Sequence, residues 1–255
     1  MNIIKSDILS EIDFIEHGFF DRRGGESTGE FSSLNVGLGR GDDDQKVLRN
    51  RAHVAEHFGI QLANMIMLKQ VHGDTVHVIS KDNASKYEFK TVKQSMANEG
   101  DAIVTQQSGI LIGVGTADCA PILLCDPSAK YIGVIHAGWR GAVGTVIEKT
   151  MQQMKDLGCK NIVAAIGPCM QKRYFEVKSE VLELVDKKYI SPFGGKMFFD
   201  MQLLVLEKLM KNGAKAVSKL NVDTMGNDNY FSYRRQAGKA GVQFSGIMMK
   251  GSEHD

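Results

Sequence analysis

The sequence predicts an α/β (α+β) fold, a mixed sheet or β-sandwich flanked by helices. Apolar runs of strand length, such as Pro121–Cys125, Tyr131–Ile135 and Asn161–Ile166, are bounded by turn residues. Stripes at helical spacing lie between such runs, in Val47–Phe58, Val143–Met154 and Leu203–Met210. Hairpin-like pairs of runs alternate with strand–helix–strand stretches, so antiparallel and crossover connections share one architecture. With 255 residues and no repeat, low-complexity tract or linker, residues 1–255 read as one domain.

Composition excludes several classes. A net charge of +1 argues against a nucleic-acid or membrane surface. The longest apolar runs are too short to span a bilayer. The N-terminal stretch MNIIKSDILSEIDFIEHGFF mixes acids with apolar residues and has no signal-peptide core. Cys119, Cys125, Cys159 and Cys169 show no framework spacing and read as reduced thiols of a cytoplasmic protein. A monomer or small homo-oligomer is expected.

Taken in order, Ile12–Phe20 reads as a strand. Asp21–Asp44 is a long loop rich in Gly, Ser and charge, whose Arg22, Arg23 and Asn35 could reach a ligand. Asp42–Asp44 suit a helix start, and Val47, Leu48, Arg51, Ala52, Ala55 and Phe58 trace the helix to Gly59. Arg51 lies on or beside the apolar stripe and needs a partner. His53 and His57, without a third ligand nearby, read as surface histidines. Met65–Leu68 and Thr75–Ile79 are strands around a turn that carries His72. Ser80–Gly100 is a polar excursion. Asp101–Thr105 and Ile110–Gly115 are strands.

The stretch from Thr116 to Gly141 organises the rest. Its apolar runs fold about Asp126–Lys130 into a hairpin. Pairing Cys125 with Tyr131 brings Cys119 opposite Ala137, beside His136, at a separation of roughly 5 Å for opposed Cβ atoms. A thiolate and an imidazole then meet, as a metal site or a Cys/His catalytic pair requires. Val143, Ile147, Met151 and Met154 continue as a helix from near Gly141 to Gly158, with an N-terminus that could hold an anion such as phosphate.

Beyond it come a strand at Asn161–Ile166, a helix through Val177, Val181, Leu184 and Val185, and a helix capped by Asp200. Ala216–Val222 and Val242–Met249 close the set as strands. Arg234 and Arg235, after Phe231-Ser232-Tyr233, could clamp a phosphate or stack on a base.

Gln70–Gly73 (QVHG), Thr116–Pro121 (TADCAP), His136–Gly141 (HAGWRG), Phe175–Val177 (FEV) and Phe231–Arg235 (FSYRR) together resemble the YfiH/YlmD family. Arg22–Gly25, Ser33–Asn35 and Gly41–Asp43 extend the resemblance over nearly the whole chain. One departure is Phe20-Asp21, where the family more often has a small hydroxyl pair. The family was long labelled polyphenol oxidase or laccase-like; members have since been described as purine nucleoside enzymes and peptidoglycan-editing factors.

The resemblance implies a fold similar to the catalytic domain of cytotoxic necrotising factor toxins. It implies a zinc site at His72, Cys119 and His136, with copper as the lesser alternative. It implies phosphorolysis of adenosine, inosine, guanosine or methylthioadenosine, with adenosine deamination as a companion activity. Asn35, Gln70, Arg51, Arg140 and Arg234 are the candidates for holding nucleoside and phosphate. A metal-free Cys/His hydrolase or deamidase acting on a peptidoglycan precursor is the second expectation. A copper polyphenol oxidase is the third.

Overall fold

The computed structural model describes residues 1–88, 91–92 and 96–251. Its strands are β1 (Ile3–Ile4), β2 (Ile15–Phe20), β3 (Met65–Met67), β4 (Val76–Ile79), β5 (Ala102–Thr105), β6 (Leu111–Thr116) and β7 (Ala120–Asp126). They continue with β8 (Tyr131–Ala137), β9 (Val163–Ile166), β10 (Glu176–Val177), β11 (Ile190–Phe193), β12 (Lys196–Phe199), β13 (Ala216–Lys219) and β14 (Gln243–Met249). A five-stranded sheet runs β1-β2-β14-β6-β3 and a six-stranded sheet runs β13-β9-β7-β8-β5-β4. Both are mixed: β3 pairs with β6 and β4 with β5 in parallel, while β2, β14 and β6 pair antiparallel, as do β5, β8, β7 and β9.

The sheets face each other. Phe19, Ile112, Val114 and Ile247 of one pack with Leu123, Cys125, Ile132 and Val134 of the other. The alternate residues of β7 and β8, among them Ile122, Leu124 and Ile135, point outward and meet Val146, Ile147, Met151, Met154, Val205 and Leu209 from two helices. Strands buried on both faces read as continuous apolar runs, which is why Pro121–Cys125 stands out in the sequence. On the far side of the five-stranded sheet, Phe20, Phe244 and Met248 pack against Val54, Ala55 and Phe58 of the helix Asp44–His57. No helix among the described residues is long and apolar enough to cross a membrane.

Local signals set most helix ends. Asp43 caps its helix by accepting from the Gln45 amide, and Asp200 accepts from the Leu203 amide at the start of Met201–Lys211. The single helix expected from Gly141 to Gly158 is two: Trp139–Val143 and Val146–Asp156. Gly144 leaves the helical region at ψ −146°, and the Thr145 hydroxyl donates to Asp74. The helix expected through Val185 is a turn at Ser179–Leu182, followed by the hairpin β11–β12, which sequence periodicity did not reveal. Of the excursion Ser80–Gly100, Ala84–Lys86 forms a 3-10 turn, and residues 89–90 and 93–95 lie outside the described residues.

The hairpin register also differs from expectation. Asp126, rather than Cys125, pairs with Tyr131, so Cys125 faces Ile132 and Pro121 faces His136. Asp126 belongs to the strand because its carboxylate accepts amides of Ser128, Ala129, Lys160 and Asn161. A shift of one residue exchanges faces. The expected register would have put Cys119 and His136 on opposite faces; the observed one continues both towards the side between the sheets.

Candidate active site

The site lies at one open end of the sandwich, where β7 begins and β8 ends. His136 is the penultimate residue of β8 and is buried. Its Nδ1 lies 2.7 Å from Asp101 Oδ1. A buried carboxylate takes the proton-bearing nitrogen, which leaves Nε2 free as a ligand atom.

His72 arrives from the other sheet on the loop after β3, with φ +59°. Asp101 holds that loop as well. Its Oδ1 accepts the His72 amide at 3.0 Å, and its Oδ2 accepts the amides of Gly73 at 2.8 Å and Val71 at 3.3 Å. Burial works against the charge on Asp101, yet His136 and these amides keep its pKa below the ordinary carboxylate value. Cys119 stands just before β7, with its Sγ 3.8 Å from His72 Nε2. The ligand atoms of His72, Cys119 and His136 all lie within 4.8 Å of one another.

The residues fit a metal ion. Two imidazoles and one thiolate form a donor set for zinc, and also for copper. Gly138 leaves the necessary room: a Cβ there would sit 2.7 Å from His72 Cδ2 and 3.1 Å from Cys119 Sγ. In the metal-free protein, burial raises the Cys119 pKa, but the neighbouring imidazoles outweigh it and bring the thiol down to about 6. Burial likewise disfavours a charged His136, while the Cys119 thiolate and Asp101 raise it to about 9. Each shift favours the charged form of its group beside the other in the metal-free protein.

Above the cluster opens a cavity of about 720 Å³, a size suited to a small-molecule ligand. Met170, Met201, Phe175, Trp139 and Val242 give it apolar walls, and Arg40, Arg140 and Arg234 line it with charge. Arg234 is placed by its neighbour in space, Asp118. That buried carboxylate accepts the Arg234 amide at 2.8 Å, the Ser232 hydroxyl at 2.9 Å and the Thr224 hydroxyl at 2.7 Å. Arg235 turns away and donates to the carbonyls of Thr224, Met225, Asn227 and Tyr230. The arginine pair therefore divides between cavity and scaffold.

Three of the five candidates for holding nucleoside and phosphate lie outside the cavity lining, as do Arg22 and Arg23. Asn35 is fully buried; its Nδ2 donates to Asp42 and its Oδ1 accepts the amides of Gly37 and Val242. Arg51 is buried and donates from Nε to the Val36 carbonyl at 2.8 Å, and burial lowers its pKa to about 10. Gln70 both donates to and accepts from the backbone of Gly115 at 2.8 Å. All three secure the segments that carry the walls. The helix start after His136 is only five residues long and is no substantial anion site. The sequence reading missed Asp101 and Arg40, whose roles depend on contacts between distant segments.

Together, fold and site define a family. The chain belongs to the one described as multi-copper polyphenol oxidoreductase laccase, whose model matches residues 16–250. A purine nucleoside phosphorylase of Deinococcus radiodurans is 34% identical over 241 residues, covering 91% of this chain and 88% of that protein. Adenosine deaminase RL5, from an unknown prokaryotic organism, is 32% identical over 263 residues, covering 96% and 98%. The crystal structure of YlmD from Geobacillus stearothermophilus superposes with a TM-score of 0.83 at 26% identity, covering 94% of this chain and 93% of that one. That of YfiH from Bacillus licheniformis gives 0.87 at 24% identity, covering 94% of each chain, and shows the same fold.

Proposed function

We propose that the chain is a zinc-dependent purine nucleoside phosphorylase with a companion adenosine deaminase activity. The observation that carries this reading is the convergence of His72, Cys119 and His136 at the base of a cavity whose walls are otherwise apolar and arginine-rich. The names of the relatives support it. Adenosine, inosine, guanosine and methylthioadenosine are the proposed nucleosides, and orthophosphate is the co-substrate.

A zinc ion held by His72, Cys119 and His136 would supply Lewis acidity and activation of water. The chain's own residues do the rest. Asp101 fixes the tautomer and direction of His136 and the backbone of His72. The apolar wall of Met170, Met201 and Phe175 shields a purine from water. Arg234, anchored through Asp118, offers a guanidinium to phosphate. In phosphorolysis a phosphate oxygen bonds to C1′ as the glycosidic bond to the base breaks, and the base leaves with the electron pair and acquires a proton.

The donor set alone would also accept copper. Laccase chemistry needs further histidine-rich copper sites, and among the described residues His72, Cys119 and His136 form the single group of this kind. The thiolate–imidazolium pair favours a second reading, a metal-free Cys/His hydrolase with Cys119 as nucleophile. The free cysteines support a reducing, cytoplasmic setting.

One experiment separates these readings. Metal-analysed protein is incubated with a nucleoside panel, with and without phosphate, and the products are identified by mass. Phosphate-dependent release of base and sugar 1-phosphate, lost on chelation, supports the proposal. Full turnover by metal-free protein would transfer the role to Cys119 as nucleophile.

A further inference from the structure

We propose that the cavity contains an oxyanion subsite formed by Arg40 together with Arg234, and that Arg140 stands outside it. All three arginines line the cavity. They differ in what already satisfies their charge. Arg140 Nη2 donates to Glu180 at 2.6 Å, and its guanidinium lies 4.3 Å from the centroid of the Trp139 ring. That charge is matched, and the side chain is held against a neighbour.

Arg234 is different. Its Nη1 donates to the Glu176 carbonyl at 3.2 Å, and its guanidinium lies 5.7 Å from the centroid of Phe175. A carbonyl and a ring orient the guanidinium, and the nearby Glu176 carboxylate forms its ion pair with Lys196 instead. Arg40 has no hydrogen-bond or ion-pair partner among the described residues. Two guanidinium groups with no hydrogen-bonded carboxylate among the described residues thus line one cavity, together with the buried Asp118 and the His72–Cys119–His136 cluster.

Arg40 is positioned for this. It lies between Gly39 and Gly41, at φ +67° and +96°, in a loop where the chain reverses. Its stem rests on Gly37, where a Cβ would come within 2.9 Å of Arg40 Cδ. The Gly37 amide is fixed by Asn35, which also binds the amide of Val242 on the cavity wall. The backbone of Arg234 is fixed by Asp118. The subsite joins an early loop to the chain's tail.

Guanidinium forks match oxyanions with oxygens to share, and a tetrahedral phosphoryl dianion can serve two forks at once. Orthophosphate and the 5′-phosphate of a nucleotide both present that group. Orthophosphate is the occupant if phosphorolysis is the reaction, and to that extent the inference rests on the function proposed above.

The test uses the metal-loaded full chain. Orthophosphate and adenosine 5′-monophosphate are titrated separately by calorimetry into wild type, Arg40→Met, Arg234→Met and Arg140→Met. Loss of either subsite arginine should weaken orthophosphate binding about tenfold or more, as loss of a charged hydrogen-bonding partner does. Arg140→Met should stay within about twofold. Weakening confined to the nucleotide would keep the subsite and assign it to a phosphate ester. Arg40→Met binding both ligands like wild type, or Arg140→Met losing as much as Arg40→Met, would overturn the proposal.

A second readout needs no variant. Phosphate should protect Arg40 of the wild-type protein from phenylglyoxal, read by peptide mass, and absence of protection counts against the subsite. Failure of the phosphorylase reading would look different: wild type would release no base from any nucleoside, whatever the arginine variants do to phosphate binding.

Discussion

Asp101 grips His136 twice, accepting its backbone amide at the carbonyl and its ring Nδ1 at the carboxylate, each at 2.7 Å. The same carboxylate receives the amides of Val71, His72 and Gly73. One acidic side chain thereby sets the relation between a ligand on β8 and a ligand on the loop that joins the two sheets.

Asp101→Asn tests this relation. Both carboxylate oxygens accept hydrogen bonds, so an amide group must turn its NH₂ towards a donor whichever way it flips. Zinc affinity should fall about tenfold to a hundredfold, the usual scale for residues that orient ligands. Competition with a chromogenic chelator measures it. Unchanged affinity would remove Asp101 from the positioning role.

Cysteine reactivity gives a pH prediction. In metal-free protein the Cys119 thiolate should persist down to about pH 6 and be lost below it. Burial pushes Cys125 and Cys159 up to about 12, and Cys169 higher still. Iodoacetamide at pH 7 should therefore label Cys119 selectively, and zinc should protect it. A labelling midpoint in the ordinary thiol range, near about 8.5, would contradict the assigned environment.

Gly138→Ala should damage the metal site while sparing the fold. Gly138 has φ −69° and ψ 171°, a backbone any residue adopts. The added methyl meets His72 and Cys119 instead. Zinc affinity should drop by about tenfold or more, on the scale of displaced ligands, with little change in thermal stability. Stoichiometry by metal analysis and a melting curve on the same sample decide it.

The adjacent arginines should separate by phenotype. Arg235→Met removes the donor to the carbonyls of Thr224, Met225 and Tyr230 and should lower stability by about 2–3 kcal/mol in urea titration. Arg234→Met should leave the unfolding curve close to wild type and act on phosphate. Equal destabilisation by both would refute the division between cavity and scaffold.

Much of this architecture is legible in the sequence, because burial on one or both faces imprints a period. The runs at Pro121–Cys125 and Tyr131–Ile135 and the stripe Ile147, Met151, Met154 mark strands and helix directly. Register is harder. Asp126 reads as a turn residue, and besides the local amides of Ser128 and Ala129 its carboxylate binds those of Lys160 and Asn161, from another part of the chain. Arg51 illustrates the same limit. Its place on the apolar stripe shows that it is buried, while the partner is Val36, which no local pattern reveals. Arg40, by contrast, lies in a glycine-rich loop without period, and its side of the molecule is set by Asn35 and Val242.

Strand β14, near the C-terminus, lies between β2 and β6 in the middle of the five-stranded sheet. During synthesis β2 and β6 emerge long before the strand that joins them. Until residues 243–249 leave the ribosome, both have an unpaired edge, the kind of edge that recruits other chains. Asp118 likewise waits for Thr224, Ser232 and Arg234, more than a hundred residues later in the chain. The metal ligands are all translated early, yet the cavity around them is completed by the tail. Completion of the site therefore depends on residues 224–249, which are made after all three metal ligands.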